Sequence, residues 1–287
     1  MCGILIGGII MSKTWLITGV SSGFGLEMTK QLLEKGDTVV GTVRNDRNVK
    51  ELMNKYPDTF FRKFLDVTDT KAVQALVQKV FDKLGQIDVI VSNAGYGLFG
   101  AAEELTDDEV DKILNTDLVG SIYLIRAVLP YFRKQGFGRI IQISSYGGQV
   151  AFAGNSMYHA AKWGIEGFVE SVAQEMAPFN VGMTIVEPGG ARTEFRYGSA
   201  QVANLMTEYN GNPAHAFLSM LDKNNGLAVG DPKKMVRRMI ESVEVTPAPL
   251  RLMLGSQALN DTIKVLEKRI ADFEAQRELA ASTDIVE

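Results

Sequence analysis

The sequence is poor in the residues that build disulfide frameworks and metal sites. Its 287 residues include a single cysteine, Cys2, which excludes an intramolecular disulfide and gives no sign of an oxidising compartment. Two histidines, His159 and His215, without a cysteine cluster argue against a zinc site, and we predict no bound metal. The net charge of −4 provides no basic surface for phosphates, so we expect no nucleic-acid partner.

Long hydrophobic runs are also missing. The longest, residues 3–10 (GILIGGII), is far shorter than the roughly 20 residues that cross a bilayer. It has neither the charged start nor the small-residue cleavage site of a signal peptide. Because MSKTWLITG from Met11 reads like an ordinary protein start, we interpret residues 1–10 as an upstream segment or a cloning remnant outside the fold. We expect a cytoplasmic protein with no membrane partner.

The sequence does contain a regular alternation of strand-like and helix-like segments. Apolar residues make up 46% and charged residues 22%, which is typical of a globular domain. Short apolar runs occur at residues 14–18, 38–43, 60–67, 87–95, 138–145 and 181–189. Segments with helical spacing lie between them, and several runs are apolar throughout, as in a parallel sheet covered on both faces. We therefore predict an α/β fold, a doubly wound Rossmann-type parallel sheet in a single domain over residues 11–287.

The pattern loosens after about residue 190. Residues 190–230 are rich in glycine, asparagine and methionine, and we predict that this partly helical insertion forms a lid over the substrate. Residues 256–282 carry a charged amphipathic pattern and predict a C-terminal helix. The segment 106–135 has an acidic start and predicts one long helix, or two helices end to end.

A glycine-rich turn follows the first predicted strand. TGVSSGFG places Gly19, Gly23 and Gly25 between that strand and a helix, with Ser21, Ser22 and Phe24 in the same turn. Glycines there let the backbone approach a pyrophosphate, and the helix N-terminus directs free N–H groups at it. The alternative is a tight strand-to-helix turn that binds no ligand.

The spacing T-G-x3-G-x-G resembles that of the short-chain dehydrogenase/reductase family, and three further motifs follow in the family's order. SNAG at residues 92–95 resembles its N-N-A-G, LDVTD at 65–69 its adenine-contacting segment, and EPGGART at 187–193 its nicotinamide-carboxamide segment. The resemblance extends over about residues 13–195. It implies cofactor contacts by Asp66, Val67, Asn93, Ala94, Gly95, Pro188, Gly189 and Thr193.

The end of the second predicted strand bears on the choice of cofactor. An acidic residue there would accept a hydrogen bond from the ribose 2′-hydroxyl of NAD, but this sequence has Val43 followed by Arg44. Arg44 is suited to pair with a 2′-phosphate, which indicates NADP(H), with NAD(H) as a possible substitute. The alternative is that Arg44 is a solvated loop residue, and Asp46 nearby would weaken the preference for NADP(H).

Tyr158 and Lys162 form the Y-x3-K pair, and on a helix they lie on one face, one turn apart. A tyrosine with its ordinary pKa of about 10 is a poor acid–base group at neutral pH, and a nearby ammonium lowers that pKa. The resemblance implies that this tyrosine is the general acid–base and that the lysine supports it and binds the nicotinamide ribose. Ser145, thirteen residues before Tyr158, would bind the substrate oxygen, with Ser144 as its competitor. His159 is interpreted as a packing neighbour.

One position departs from the family pattern. Where the family has a catalytic asparagine that holds a relay water, the register to Gly120 and Tyr158 places Asp117. An aspartate can hold that water, as an acceptor only when it is ionised. If it is charged beside Lys162, it partly neutralises the lysine charge and so reduces the effect of that charge on the tyrosine pKa. We therefore expect an altered relay or a lower activity. The alternative is a different register, in which Asn115 serves.

The resemblance implies an NADP-dependent oxidoreductase that transfers a hydride between NADP(H) and a carbonyl or secondary alcohol. Relatives often form homodimers or homotetramers through the long helix and the Tyr–Lys helix, and we expect the same here. An apolar pocket for a bulky ketone or aldehyde is predicted from Tyr96, Gly97, Phe99, Gly147, Phe152, Phe195, Met206 and Phe217, although these residues could be ordinary packing. The alternative function is a catalytically weak NADP(H)-binding sensor.

Overall fold

The fold is described from a computed structural model, which describes residues 12–46, 48–221 and 228–285. Residues 1–10, which we interpreted as an upstream segment, lie outside the described residues. So do residues 222–227 of the expected lid.

A sheet of seven parallel strands forms the centre, in the order β3-β2-β1-β4-β6-β7-β9. A second, two-stranded sheet pairs β5 with β8. The strands are β1 Thr14–Ile17, β2 Thr38–Val43, β3 Phe60–Phe64, β4 Val89–Ser92, β5 Leu98–Phe99, β6 Gly138–Ile143, β7 Val181–Pro188, β8 Gln201–Val202 and β9 Arg251–Leu254. The order reverses between β1 and β4, and in such sheets ligands bind outside the carboxyl ends of the strands at that point.

Helices connect the strands and cover both faces of the sheet. They are α1 Gly23–Lys35, α2 Lys50–Lys55, α3 Thr70–Leu84, α4 Asp107–Leu114, α5 Gly120–Gln135, α6 Ser156–Met176, α7 Leu218–Leu221, α8 Pro232–Glu241, α9 Ser256–Glu274 and α10 Arg277–Ala281. A π-helical turn, Asn115–Val119, joins α4 to α5 into one long helix. By length and composition alone that helix could cross a membrane, but here it packs against α3 and α6 as a core helix.

Alternating side chains of each strand build two cores. On one face, Leu16 of β1 packs in a cluster with residues of α3, α5 and α6. On the other face, Trp15 and Ile17 pack with residues of α1 and α8. Trp15 is fully buried, and its indole N–H donates to the carboxylate of Asp37 at 3.2 Å. Each such fully buried side chain contributes roughly 1.5–3 kcal/mol, so the sheet is a rigid base for the residues at its carboxyl edge.

The doubly wound α/β fold predicted from the sequence is confirmed, with two local differences. The sequence analysis did not identify α2, α8 or the edge strand β9, which are only six, ten and four residues long. The expected C-terminal helix over 256–282 is two helices, α9 and α10. The long segment 106–135 is a continuous helix interrupted only by the π-helical turn.

Candidate active site

A cleft of about 1080 Å³ lies at the carboxyl edge of the sheet. The loops after β1, β2, β4, β6 and β7 line it, together with residues of the lid and of α9. The predicted site residues that line the cleft are Gly19, Ser21, Ser22, Gly23, Phe24, Arg44, Asp66, Val67, Asn93, Ala94, Gly95, Tyr96, Phe99, Ser145, Gly147, Phe152, Tyr158, Lys162, Pro188, Gly189, Thr193, Phe195 and Phe217. The structure therefore brings together residues that are spread over most of the chain.

The backbone of the glycine turn has conformations that glycine adopts readily and other residues disfavour. Gly19 and Gly23 have positive φ angles of +74° and +56°, which side chains disfavour. A Cβ at Gly25 would lie 2.3 Å from the carbonyl oxygen of Gly19, so Gly25 packs beneath the turn and does not line the cleft. The side-chain amide of Asn93 donates to the carbonyls of Thr18 and Gly19, at 2.9 and 3.0 Å. Asn93 thus braces the turn from the neighbouring strand.

Helix α1 begins at this turn with its N-terminus towards the cleft. The residue that precedes it, Ser22, makes no side-chain hydrogen bond to the first turn, and that turn contains no acidic residue. The first N–H groups and the positive end of the helix dipole are therefore available to an anion. This geometry fits the pyrophosphate of a dinucleotide.

Arg44 occupies the predicted position at the end of β2. Val43 is buried, whereas Arg44 is exposed on the cleft and forms no ion pair with any residue in the described part of the chain. Asp66, also on the cleft, accepts hydrogen bonds from the N–H and hydroxyl of Thr68, at 3.0 and 2.8 Å. These bonds lower the pKa of Asp66, and the charge of Arg44 adds to the effect. The cleft therefore offers an exposed guanidinium at the end of β2.

Tyr158 and Lys162 project from α6 into the centre of the cleft. The Lys162 ammonium lies 5.4 Å from the centre of the Tyr158 ring and 3.5 Å from the carbonyl oxygen of Ile143. Ser145 follows β6, and its hydroxyl accepts from the N–H of Gly147 at 3.0 Å. The competitor Ser144 instead donates its hydroxyl proton to Glu166 at 2.6 Å. Its hydroxyl is thereby engaged by Glu166, and Ser145 is the serine that hydrogen-bonds with Tyr158.

The electrostatics of this centre keep the tyrosine protonated. Burial raises the pKa of Tyr158, and the opposing effects of the Lys162 charge and the Ser145 hydroxyl do not cancel it. Burial alone would lower the pKa of Lys162, but the negative charge of Asp117 and the neighbouring Tyr158 outweigh it and raise that pKa. The phenol is thus a proton donor beside a stable ammonium ion.

Asp117 lies in the π-helical turn, directly behind Lys162. Its carboxylate is fully buried, with Oδ2 at 3.2 Å from the Lys162 ammonium and Oδ1 accepting from the N–H of Tyr96 at 3.0 Å. A Cβ at Gly95 would lie 2.8 Å from Oδ2, so that glycine leaves room for the carboxylate. Burial raises the pKa of Asp117 despite the Lys162 charge. Asn115, the alternative, is exposed on the other side of the helix.

His159 has both ring nitrogens in hydrogen bonds to the loop that follows Ser145. Nε2 accepts from the N–H of Phe152 at 2.9 Å, so Nδ1 carries the proton and donates to the carbonyl of Gly147 at 2.8 Å. Burial lowers the pKa of His159, which favours this neutral form. The histidine therefore holds this loop, and both of its ring nitrogens are engaged in doing so.

Aromatic side chains form the wall opposite the glycine turn. Phe99 stacks on Phe217 with ring centres 5.2 Å apart, and Phe195 lies 5.9 Å from the ring of Tyr158. Two predicted pocket residues do not line the cleft. Gly97 packs against Phe99, and the backbone N–H of Met206 donates to Glu104 at 2.6 Å.

The lid is attached to the body of the protein through Glu104. This buried carboxylate accepts from the N–H of Ala101 at 2.6 Å, from Met206, and from the ring of His215 at 2.8 Å. Pairing of β5 with β8 adds a second connection. Both hold the segment that carries Phe217 over the cleft.

Several lining residues were missed by the sequence analysis. Tyr146 directly follows the predicted serine, so its position in SSYGG was a usable signal. Lys112, Met220, Leu221, Gln257 and Asp261 also line the cleft and carried no such signal. Gln257 and Asp261 reach it because α9 folds back against Gly189, where a Cβ would lie 2.8 Å from Ala258.

Comparisons with known proteins place this site in a family. The chain matches the family model described as short chain dehydrogenase over residues 13–202. It is 36% identical over 274 residues to the oxidoreductase BOA17 of Botryotinia fuckeliana, covering 95% of this chain and 100% of that protein. It is 34% identical over 249 residues to a 3-ketodihydrosphingosine reductase of Bacteroides thetaiotaomicron, covering 84% of this chain and 87% of that protein.

A solved structure agrees with the sequence comparisons. A short-chain dehydrogenase from Streptomyces avermitilis is similar with a TM-score of 0.89 and 34% identity, covering 96% of this chain and 99% of that one. The similarity therefore extends well beyond the residues matched by the family model and includes the lid and α9. The chain belongs to the short-chain dehydrogenase family, whose members are oxidoreductases that use a nicotinamide dinucleotide cofactor.

Proposed function

We propose that this protein is an NADP(H)-dependent oxidoreductase that reduces a bulky, apolar ketone or aldehyde, and that oxidises the corresponding alcohol in reverse. The observation that carries the proposal is the group formed by Ser145, Tyr158 and Lys162 in the cleft that also contains the glycine turn. Bound NADPH would supply the hydride.

The side chains of this group have distinct tasks in the reduction. The hydroxyls of Ser145 and Tyr158 bind the carbonyl oxygen and stabilise the negative charge that develops on it. Tyr158 then gives its proton to that oxygen, and the ammonium of Lys162 stabilises the phenolate that remains. The high pKa of Tyr158 suits this direction, because the phenol is protonated before the reaction.

The residues at the end of β2 support a preference for NADP(H). An arginine that forms no ion pair in the described part of the chain lies on the cleft where the adenosine ribose would be bound. The residue before it is a buried valine, so the position offers no carboxylate to a 2′-hydroxyl. A guanidinium can make a bidentate, charge-assisted contact to a phosphate, which supports NADP(H) over NAD(H).

The residues that form the wall of the cleft support an apolar substrate. The residues around Tyr158 are largely aromatic and apolar, among them Phe99, Phe152, Phe195 and Phe217. A pocket of this kind gains its binding energy from burying apolar surface. The 34% identical relative named as a 3-ketodihydrosphingosine reductase has a keto compound in its name, which supports a ketone substrate here.

One observation favours a second candidate, an NADP(H)-binding sensor with little turnover. Asp117 pairs with Lys162, and part of the lysine charge is therefore unavailable to the phenolate. Thermal shifts with NADPH and NADH, followed by NADPH oxidation against a panel of aliphatic and aromatic ketones and aldehydes, separate the two. Turnover with an apolar ketone supports the reductase; a thermal shift without turnover on the whole panel supports the sensor.

A further inference from the structure

Glu166 is a buried carboxylate to which the reaction scheme assigns no task. It lies on α6 at the same spacing beyond Lys162 that separates Lys162 from Tyr158, so all three share one face of the helix. It is only 2% exposed. Burial of a carboxylate is unfavourable unless the group is paired and hydrogen-bonded, so its partners must hold it there strongly.

Two of those partners belong to the loop that contains Ser145. Oε1 of Glu166 accepts from the hydroxyl of Ser144 at 2.6 Å, and Oε2 accepts from the side-chain amide of Gln149 at 2.5 Å. One carboxylate therefore binds both ends of residues 144–149.

The middle of the loop also depends on Glu166. A Cβ at Gly148 would lie 1.8 Å from Oε1, so the backbone of the loop rests directly on the carboxylate. The N–H of Gly148 donates to the carbonyl of Ser145 at 2.8 Å, and the N–H of Gly147 donates to its hydroxyl at 3.0 Å. The direction of the Ser145 hydroxyl is thus set by a loop that Glu166 supports at three points.

Arg251 extends this arrangement to the segment after β7. Its guanidinium donates to Glu166 at 2.8 Å and to Glu187, which is also 2% exposed and directly precedes Pro188 on the cleft. Arg251 also pairs with Glu170 at 2.5 Å, but that side chain is 43% exposed. The loop after β6 and the loop after β7 are therefore joined through two buried carboxylates, Glu166 and Glu187, that share Arg251.

We propose that Glu166 is a positioning residue for the reduction: it holds residues 144–149 so that the Ser145 hydroxyl faces Tyr158, and through Arg251 it connects this loop to the segment that begins at Pro188. The inference rests on the proposed function, because it assigns Ser145 and Tyr158 to the carbonyl oxygen. A carboxylate that served only to fill and stabilise the core would affect folding without affecting the chemical step.

The test uses Glu166→Gln, with Glu170→Gln as the matched control on the same helix and the same arginine. An amide at 166 would direct an N–H group at the N–H donors of Gln149 or Arg251, which releases the loop. For Glu166→Gln we expect kcat to fall by about 10- to 100-fold, the effect of a small misplacement at the reacting centre. The KM for NADPH should change by less than about threefold. The thermal shift with NADPH should change by less than about 2 °C. Glu170→Gln should keep kcat within about twofold.

A second variant keeps the proposal testable if Glu166→Gln folds poorly. Ser144→Ala removes one of the hydrogen bonds to the loop while Glu166 keeps its bonds to Gln149 and Arg251. It should lower kcat with a smaller loss of Tm than Glu166→Gln. The double variant should lose less than the product of the two single losses, because both act through one contact.

The pH profile gives a readout that a merely structural residue would not change. The Ser145 hydroxyl lowers the pKa of Tyr158, so its displacement should move the basic limb of kcat/KM for reduction to higher pH. This shift is expected in Ser144→Ala but not in Glu170→Gln. In Glu166→Gln the loss of the Glu166 charge, which raises the pKa of Tyr158, opposes it. Normal kcat in both Ser144→Ala and Glu166→Gln, with an unchanged limb in Ser144→Ala, would overturn the positioning role.

Failure of the proposed function looks different in the same series. If the wild type reduces no carbonyl in the panel, or if Tyr158→Phe keeps its turnover, the reductase assignment falls and the role of Glu166 falls with it. If the wild type is active and Tyr158→Phe is inactive, the Glu166 variants test the positioning role separately from the proposed function.

Discussion

The carboxylate of Asp117 lies 3.2 Å from the ammonium of Lys162, and both side chains are buried. Asp117 belongs to a π-helical turn, a distortion that often occurs at functional sites, whereas Lys162 lies on α6. Because its two charges compensate each other, Asp117 reduces the influence of Lys162 on Tyr158. The effect on the pKa of Tyr158 is direct: the Lys162 charge lowers it and the Asp117 charge raises it.

Asp117→Asn should therefore make Lys162 more effective. We expect kcat for carbonyl reduction to stay within about threefold of the wild type or to rise. The pKa of Tyr158 should fall when the negative charge is removed, so the basic limb of kcat/KM, where the phenol loses its proton, should move to lower pH. The measurement is a pH–rate profile with NADPH. A loss of activity of more than about 100-fold in a folded variant would show that the carboxylate has its own task.

Arg44→Ala tests the cofactor preference. Loss of a charge-assisted contact to a phosphate is worth about 1.5–3 kcal/mol, so kcat/KM with NADPH should fall about 10- to 100-fold. The value with NADH should change little, because NADH has no 2′-phosphate to lose. Lys50→Ala, which removes an exposed cation that does not line the cleft, is the control for net charge. Equal losses with both cofactors, or a wild type that prefers NADH, would contradict the assignment.

The raised pKa of Glu187 predicts that the stability of the protein depends on pH. Burial, and next the charge of Glu166, raise its pKa from 4.5 to about 7 in the folded protein, against the effect of Arg251. Between these two values the folded chain binds a proton that the unfolded chain has released, so the contribution of Glu187 to stability falls as pH rises.

Glu187→Gln removes this titration. Urea denaturation of the wild type and the variant at pH 5, 6, 7 and 8 should show the wild type losing stability relative to the variant as pH increases. A constant difference across this range, or one that grows in favour of the wild type, would mean that Glu187 is ionised throughout.

The sequence was most informative where function depends on local spacing. The glycine turn of Gly19 and Gly23 and the helical spacing of Tyr158 and Lys162 are local features, and the structure brings them into one cleft. The register to Gly120, which is one turn from Asp117 on the same long helix, identified Asp117, and this residue lies 3.2 Å from Lys162 in the structure. The doubly wound fold followed from the alternation of buried strands and helices.

Contacts between distant segments of the chain were harder to predict from the sequence. Glu166 was not identified from the sequence, because its contact with Ser144 depends on how α6 packs against the end of β6. Asp261 reaches the cleft only because α9 folds back over Gly189. Met206 was predicted as a pocket residue by composition, but it does not line the cleft, and its backbone N–H donates to Glu104. The cytoplasmic location and the homo-oligomeric state remain predictions.

The central claim is that the phenol of Tyr158 donates the proton in carbonyl reduction. The most direct measurement is the kcat of Tyr158→Phe with NADPH and the best ketone of the panel, beside Tyr131→Phe, whose ring stacks on Phe81 far from the cleft. We predict a loss of at least about 100-fold for Tyr158→Phe with an unchanged thermal shift for NADPH, and near-normal turnover for Tyr131→Phe. Near-normal turnover of Tyr158→Phe would contradict the account.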